Sequence, residues 1–512
     1  VSGDARPARA LLWLLGGALA AAALVRLAEV SAVQLDAPVD LYYETPNLRT
    51  LQLVQAGRDP YDPAVYAAPP YWLSPYTPLY AQLVAAFPAD PGNPFHTGRV
   101  VSLCSFVLAA ASLLVVGGRA VPPALLALAA FLLVRPSAAM AAYLKGDSLG
   151  LLFSVVTVLA VQRAARGAGG ARGLGWLVLG ALAGAAAFLT KQSLVAAAAA
   201  GLAWLLLVDR RRALLFAGLY ALFVAAPLAW MWSDGFRFCV FESLRNELGF
   251  WRITGWWAIM ASQPVFMLLV AWSAVAGVIG CMRPRRSGWL RAPFALYALT
   301  STAVLFATLG KAGSWVDYFL EPALAALLAL VEAGRHGWSG AGRLAAPRVL
   351  PAATVAAVLL LGTGVVELGW EPGADVPVRF VTPASRAHRE QLLAVVADAI
   401  RSRGVPDPLI LNLFDTMLSY PLPGTICRSD TYHYSLLYDS GRLEVGPVVS
   451  AIAAHTFDGV FVTADLLETP APSTPMGAIQ RALQRDYRIG VSFGQMDYLV
   501  PKGPRLLGEP GR

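Results

Sequence analysis

Lysine is nearly missing from this 512-residue chain: Lys145, Lys191, Lys311 and Lys502 stand against thirty-six arginines. Charge is scarce altogether, at 14% of residues, while 57% are hydrophobic and the mean hydropathy is +0.57. That balance excludes a water-soluble globular protein of this length. There are four cysteines, too few for a disulfide scaffold. Cys104 and Cys281 fall in apolar runs. Cys239 and Cys427 are expected together on one aqueous side, as two buried free thiols in preference to a bridge. The five histidines form no pair at ligand spacing. A Walker loop, a Gly-x-Gly-x-x-Gly after a strand and a Cys-x-x-Cys are all missing, so nothing points to nucleotide, dinucleotide or structural-zinc chemistry.

What the chain has is long apolar runs. A membrane span takes ~20 mainly apolar residues, and eleven candidates are present: 11–25, 100–117, 123–137, 149–161, 174–189, 193–208, 213–232, 257–282, 292–309, 316–331 and 349–366. Charge supplies an independent check, because basic residues in short loops stay on the cytoplasmic side. Alternate loops carry sixteen arginines, Arg119, Arg163, Arg210, Arg211, Arg212 and Arg283 among them, against Asp4, Asp209 and Glu332. The N-terminus is therefore expected inside, with the loop 26–99 and the tail outside, in the plasma (inner) membrane of a bacterium. The net charge of +8 reflects this anchoring, with no nucleic-acid patch.

The outer pieces are more than connectors. In the first loop Thr45-Pro46 is expected to start a short surface helix with Thr45 as N-cap, stopped by Gly57, and Thr77-Pro78 to open a second. The composition changes near residue 370. The expected domains are a membrane module, 1–370, and an extracytoplasmic α/β domain, 371–512, with strands at 409–413, 459–463, 487–493 and 497–500 and helices at 383–403, 448–455 and 476–486.

Ionisable residues gather in the outer turns. Asp36, Asp40 and Glu44 lie within nine residues of each other, with Tyr42 and Tyr43 among them. Carboxylates beside aromatic rings suit a sugar, since the acids accept hydroxyl protons and the rings stack on its C–H face. Lys145 and Asp147 share a very short turn, Lys191 follows at the next, and Lys311 leads into Asp317, Tyr318 and Glu321. Three of the four lysines thus sit at these turns. Arg245 lies on an aromatic-rich segment after residue 233, and Arg135 near an outer span end is costly in lipid unless it faces protein or phosphate.

The acidic first loop, the Lys145-Gly146-Asp147 turn, the span 184–191 ending in Thr190-Lys191, the Lys311 to Glu321 turn and the α/β tail together resemble the GT-C glycosyltransferases, in the branch of protein O-mannosyltransferases and the lipid A aminoarabinose transferase. The acids here are spaced as Asp40-x-x-x-Glu44, where that branch has an adjacent Asp-Glu pair. The resemblance implies a polytopic α-helical membrane enzyme that moves one sugar, with inversion, from a polyprenyl-phosphate donor to an envelope lipid, glycan or protein. It implies a base among Asp40, Glu44 and Asp36, with Asp40 first. Lys191, Lys311, Arg245 and Arg135 would bind the donor phosphate, and Asp147, Lys145, Tyr42, Tyr43, Asp317, Tyr318 and Glu321 the sugar or acceptor. No cofactor is required, although a divalent cation between Asp40 and Asp147 would be compatible. The competing class is a transporter or flippase of a lipid-linked or envelope component, whose ionisable residues should lie near the membrane midplane.

Overall fold

The computed structural model describes residues 5–41, 43–118, 120–133, 137, 140–166, 170–245, 271, 293–310, 316–338, 383–414, 422–428, 431–494 and 496–503. The expected spans 257–282 and 349–366, the domain boundary near 370, and the candidates Tyr42, Arg135 and Lys311 lie outside these described residues.

Helices occupy the other expected spans: α1 (Ala5–Asp36), α5 (His96–Gly117), α6 (Val121–Leu133), α7 (Asp147–Arg166), α8 (Ala171–Thr190), α9 (Ala196–Val208), α10 (Arg210–Met231), α12 (Phe294–Leu309) and α13 (Leu320–Trp338). Among the described residues five segments, Ala10–Asp36, His96–Gly117, Asp147–Arg166, Ala171–Thr190 and Arg210–Met231, are long and apolar enough to cross a membrane individually. Small residues let them pack closely. A Cβ on Gly180 would lie 3.2 Å from Val161 of α7, and one on Gly184 3.4 Å from Ala198 of α9, the close approach expected of a Gly-x-x-x-Gly pair.

The two ends of the bundle differ in chemistry. At one end Arg166 donates to Glu332 at 2.9 Å, Arg335 reaches the Val116 carbonyl at 3.4 Å, and Asp209 caps α10 through the Arg211 and Arg212 amides at 3.1 and 3.2 Å. This is the arginine-rich end. The opposite end carries the first loop, which forms α2 (Thr45–Gln55), α3 (Pro63–Tyr66) and α4 (Leu79–Ala85). Pro38 follows α1 by two residues and cannot extend a helix, so the chain leaves the bundle there. The N-cap position of α2 is Glu44, not Thr45 as expected, because Thr45 is already helical and its hydroxyl is drawn to Asp40.

The tail begins with α14 (Pro383–Arg401) and holds β1 (Leu409–Asn412), β2 (Thr425–Cys427), α15 (Thr431–Asp439), α16 (Gly446–Ala453), β3 (Gly459–Thr463), α17 (Pro475–Asp486), β4 (Tyr487–Phe493) and β5 (Met496–Pro501). The strand order is β2-β1-β3-β5-β4. β1 pairs parallel with β2 and β3, Ile410 facing Ile426 and Leu411 facing Val460, and β5 closes antiparallel to β3 and β4. β3, and β5 which is apolar but for Asp497, are buried almost throughout, as strands covered on both faces should be.

This sheet is docked on the first loop. Trp72 Nε1 donates to the Ile426 carbonyl at 2.9 Å, the Arg428 amide to the Pro70 carbonyl at 2.9 Å, and the Tyr434 hydroxyl to the Tyr66 carbonyl at 2.8 Å. A short helix after α10, α11 (Asp234–Arg237), and the π-helical turn Phe238–Glu242 complete the contact. Gly235 is needed there, since a Cβ would come within 1.9 Å of the Tyr61 carbonyl oxygen. Arg442 donates to the Glu242 carbonyl at 3.0 Å. The first loop and the tail therefore lie on one side of the membrane. Cys239 and Cys427 are buried free thiols in this region.

Candidate active site

Two groups of charged side chains lie at the end of the bundle that carries the first loop. In the first, Asp40 is fully buried, and its carboxylate accepts from the Glu44 amide at 3.0 Å, the Thr45 amide at 2.7 Å and the Thr45 hydroxyl at 2.6 Å. Tyr43, at φ +50°, turns the chain between them and leaves its ring exposed. Burial, helped by the Glu44 charge, pushes Asp40 up to about 6 even though these hydrogen bonds pull the other way. That is the range of a general base working near neutrality.

Glu44 is equally buried and is held by Arg99, with the Leu144 amide donating to it at 2.6 Å. Arg99, in the first turn of α5, also donates to the carbonyls of Gln34, Ala37 and Val39 at 2.7, 2.5 and 2.7 Å. One guanidinium thus fixes the end of α1, the acidic loop and the start of α5. Asp36, the last residue of α1, is exposed.

The second group is a triad drawn from three distant turns. Lys191, following α8, donates at 2.5 Å both to Asp147 at the start of α7 and to Asp317 in the 3-10 turn Val316–Phe319 before α13. Their side chains are only 6%, 13% and 7% exposed. Burial alone would push the Lys191 ammonium down, but Asp147 and Asp317 outweigh it and hold the group well above its ordinary value. The Tyr318 ring lies 4.5 Å from Nζ, in cation–π range. Glu321 sits beside them and accepts from the Tyr297 hydroxyl at 3.0 Å.

These residues line a cleft enclosing about 400 Å³ of empty space, its open mouth included. Asp147, Lys191, Asp317, Tyr318 and Glu321 form the polar side, and Leu151, Leu194, Val304, Leu305 and Leu320 the apolar side. A charged end against an aliphatic wall suits an amphiphile whose head is anionic and whose tail runs into lipid. Among the described residues no three His, Cys, Asp or Glu side chains form a metal group.

Of the candidates named from the sequence, the structure brings Asp147, Lys191, Asp317, Tyr318 and Glu321 into one cleft and puts Asp40 and Glu44 in the adjoining buried loop. Lys145 is half-buried on the turn before Asp147, and its carbonyl accepts from Ser102 at 3.0 Å. Arg245 is exposed and is not among the cleft-lining residues. Sequence reasoning missed Arg99, although a lone arginine at the acidic end of an apolar span is a signal of this kind. It also missed Tyr76, whose ring lies 5.9 Å from Lys191 Nζ.

A helical bundle with a loop of short surface helices over a charged cleft, carrying a small α/β domain on the same side, is a fold already represented among solved structures. The particular likeness is to the crystal structure of ArnT from Cupriavidus metallidurans in the apo state, with a TM-score of 0.55 and 15% identity over 98% of this chain and 100% of that one. No protein-family model and no curated protein matches the sequence.

Proposed function

We propose that this chain transfers a single sugar from a polyprenyl-phosphate donor to an acceptor at the outer face of a bacterial inner membrane. The observation that carries the reading is Lys191 bridging Asp147 and Asp317 within a cleft whose other wall is aliphatic. The donor's phosphate displaces one carboxylate from Lys191, and the released carboxylate turns to the sugar. Asp40 takes the acceptor's proton, the acceptor hydroxyl replacing the Thr45 hydroxyl on the carboxylate. The acceptor oxygen bonds to the anomeric carbon as the carbon–phosphate-oxygen bond breaks. The electrons of that bond leave with polyprenyl phosphate, whose charge Lys191 stabilises. A single displacement inverts the anomeric centre.

Sidedness follows from the arginines at the opposite end of the bundle. A transporter would place ionisable groups at mid-span. Among the described residues the buried charges of the bundle are at its two ends, which does not favour that reading. Mass spectrometry of envelope lipids and glycans, with and without the gene, should show loss of one sugar unit. Purified protein should release polyprenyl phosphate from a synthetic donor. An unchanged envelope together with an intact donor would remove the proposal.

A further inference from the structure

The connection between α8 and α9 is only residues 191–195, yet it supports the lysine at the centre of the charged cleft. The Lys191 backbone is extended, at φ −153° and ψ 122°. Its amide donates to the Ala187 carbonyl and its carbonyl accepts from the Leu194 amide, each at 3.0 Å. Those bonds hold the turn to its own helices, and Gln192 ties it to the first loop. The Gln192 side-chain amide donates to the Pro75 carbonyl of that loop at 3.2 Å and to the Val240 carbonyl of the π-helical turn at 3.1 Å. Both partners are carbonyls, so the NH2 end of the amide faces them and both of its N–H groups are engaged. Thr77 adds a second stitch, its hydroxyl donating to the Phe188 carbonyl at 3.3 Å. Tyr76 lies between the two stitches, its carbonyl held by the Tyr61 hydroxyl at 2.8 Å and its ring 5.9 Å from Lys191 Nζ.

The π-helical turn leads onward to the tail. It closes through the Ser243 amide and the Phe238 carbonyl at 2.7 Å, the i→i+5 bond that defines such a turn. Arg442, between α15 and α16, donates to the Glu242 carbonyl of the same turn at 3.0 Å. Arg442, the turn, Gln192 and Lys191 thus form a continuous route of hydrogen bonds and backbone from the tail to the cleft.

We propose that Gln192 is a positioning residue for the donor's phosphate: it holds the Lys191 turn and the Tyr76 segment in register, and through it phosphate affinity depends on the docked tail. Asp147 and Asp317 anchor the ammonium to the bundle. When the phosphate displaces one of them, the ammonium keeps a single carboxylate, and the turn beneath it must stay in place without the lost ion pair. The two Gln192 bonds supply that resistance, as supporting hydrogen bonds do for a group that must hold its geometry. The inference rests on the donor reading above and deepens it.

The test compares the affinities of the full-length protein in lipid vesicles for polyprenyl phosphate and for neutral polyprenol, each expressed per folded molecule. Gln192→Met, similar in shape but without donors, should weaken polyprenyl phosphate binding roughly tenfold, the scale of one to two neutral hydrogen bonds, and leave polyprenol binding unchanged. Arg442→Met should weaken the same phosphate affinity about threefold. Combined, the two should lose no more than Gln192→Met alone, because they act through one turn. Equal losses for phosphate and alcohol would make Gln192 a structural residue only. That result, wild-type affinity in either single variant, or losses that simply multiply in the double variant overturn the proposal while leaving the donor reading intact. Failure of the unmodified protein to prefer polyprenyl phosphate over polyprenol overturns both.

Discussion

Replacing Asp40 by Asn separates a chemical role from a structural one, because the structural cost can be worked out. The carboxylate receives three donors, the Glu44 amide, the Thr45 amide and the Thr45 hydroxyl. An Asn oxygen turned to Thr45 keeps two of them and sets its NH2 group against the Glu44 amide. Losing one charge-assisted bond costs about 1.5–3 kcal/mol. Against this, the wild type carries a penalty that Asn lacks. Asp40 rises from 3.8 to about 6 on folding, and at ~1.4 kcal/mol per pH unit its ionised form is disfavoured by about 3 kcal/mol. That penalty is already net of the wild type's hydrogen bonds, so at pH 7.5 the variant should be at least as stable as wild type.

The sign of the pH dependence follows from the same shift. A raised folded pKa means that the stability Asp40 contributes is complete below about 4 and lost as the pH climbs through about 6. Relative to wild type, Asp40→Asn should therefore gain about 3 kcal/mol between pH 4 and 7. Activity should behave otherwise. Wild-type kcat/KM should rise with pH to a plateau above about 6, and the variant should lie roughly 10²–10⁴ below that plateau without showing the rise. Thermal unfolding in detergent, followed by tryptophan fluorescence, and release of polyprenyl phosphate from a synthetic donor provide the two readouts. A folded Asp40→Asn protein with wild-type turnover would refute the base assignment.

Lys191→Met should be more damaging. It leaves two buried carboxylates facing each other, and removing one partner of a buried pair costs about 3–5 kcal/mol; an unchanged melting temperature would contradict the triad. Arg99→Lys should fail to rescue the expression lost in Arg99→Leu, since an ammonium cannot supply the planar fork that spans Glu44 and three carbonyls; a fully stable Arg99→Lys protein would count against that role. Trp72→Ala removes the indole bond to Ile426 and the ring that lies 4.7 Å from the Arg49 guanidinium. Hydrogen exchange in β2 and α15 should quicken about five- to thirtyfold, from a loss of about 1–2 kcal/mol, with little change in α5.

The apolar spans and the outer turns were legible because hydropathy and loop charge are read locally. So were β1, β3, β4, β5 and the helices α14, α16 and α17, each a run of consistent period. Other features escaped because their cause is distant. β2 is three residues long and exists by pairing with β1 and docking under Trp72, and α15 is short, its buried face made largely of tyrosines, Tyr434 and Tyr438 with Leu437. The carboxylate cluster was visible, but its division of labour was not. Glu44 looks like a second acid until Arg99 closes on it from 55 residues away. Thr45 has the composition of an N-cap, yet its hydroxyl serves Asp40 because the turn at Tyr43 brings that carboxylate nearer than the helix's own amides.

The bond from Trp72 to Ile426 joins residues 354 positions apart. Closing a loop of that length during biosynthesis cannot precede synthesis of β2. The segment around Trp72 must therefore wait for this partner until residue 426 has been made. A truncated chain would thread its spans and still lack the buttress beneath its cleft. Synthesis of β2 then acts as a checkpoint, and copies terminated before it should accumulate in the bilayer without transferring anything.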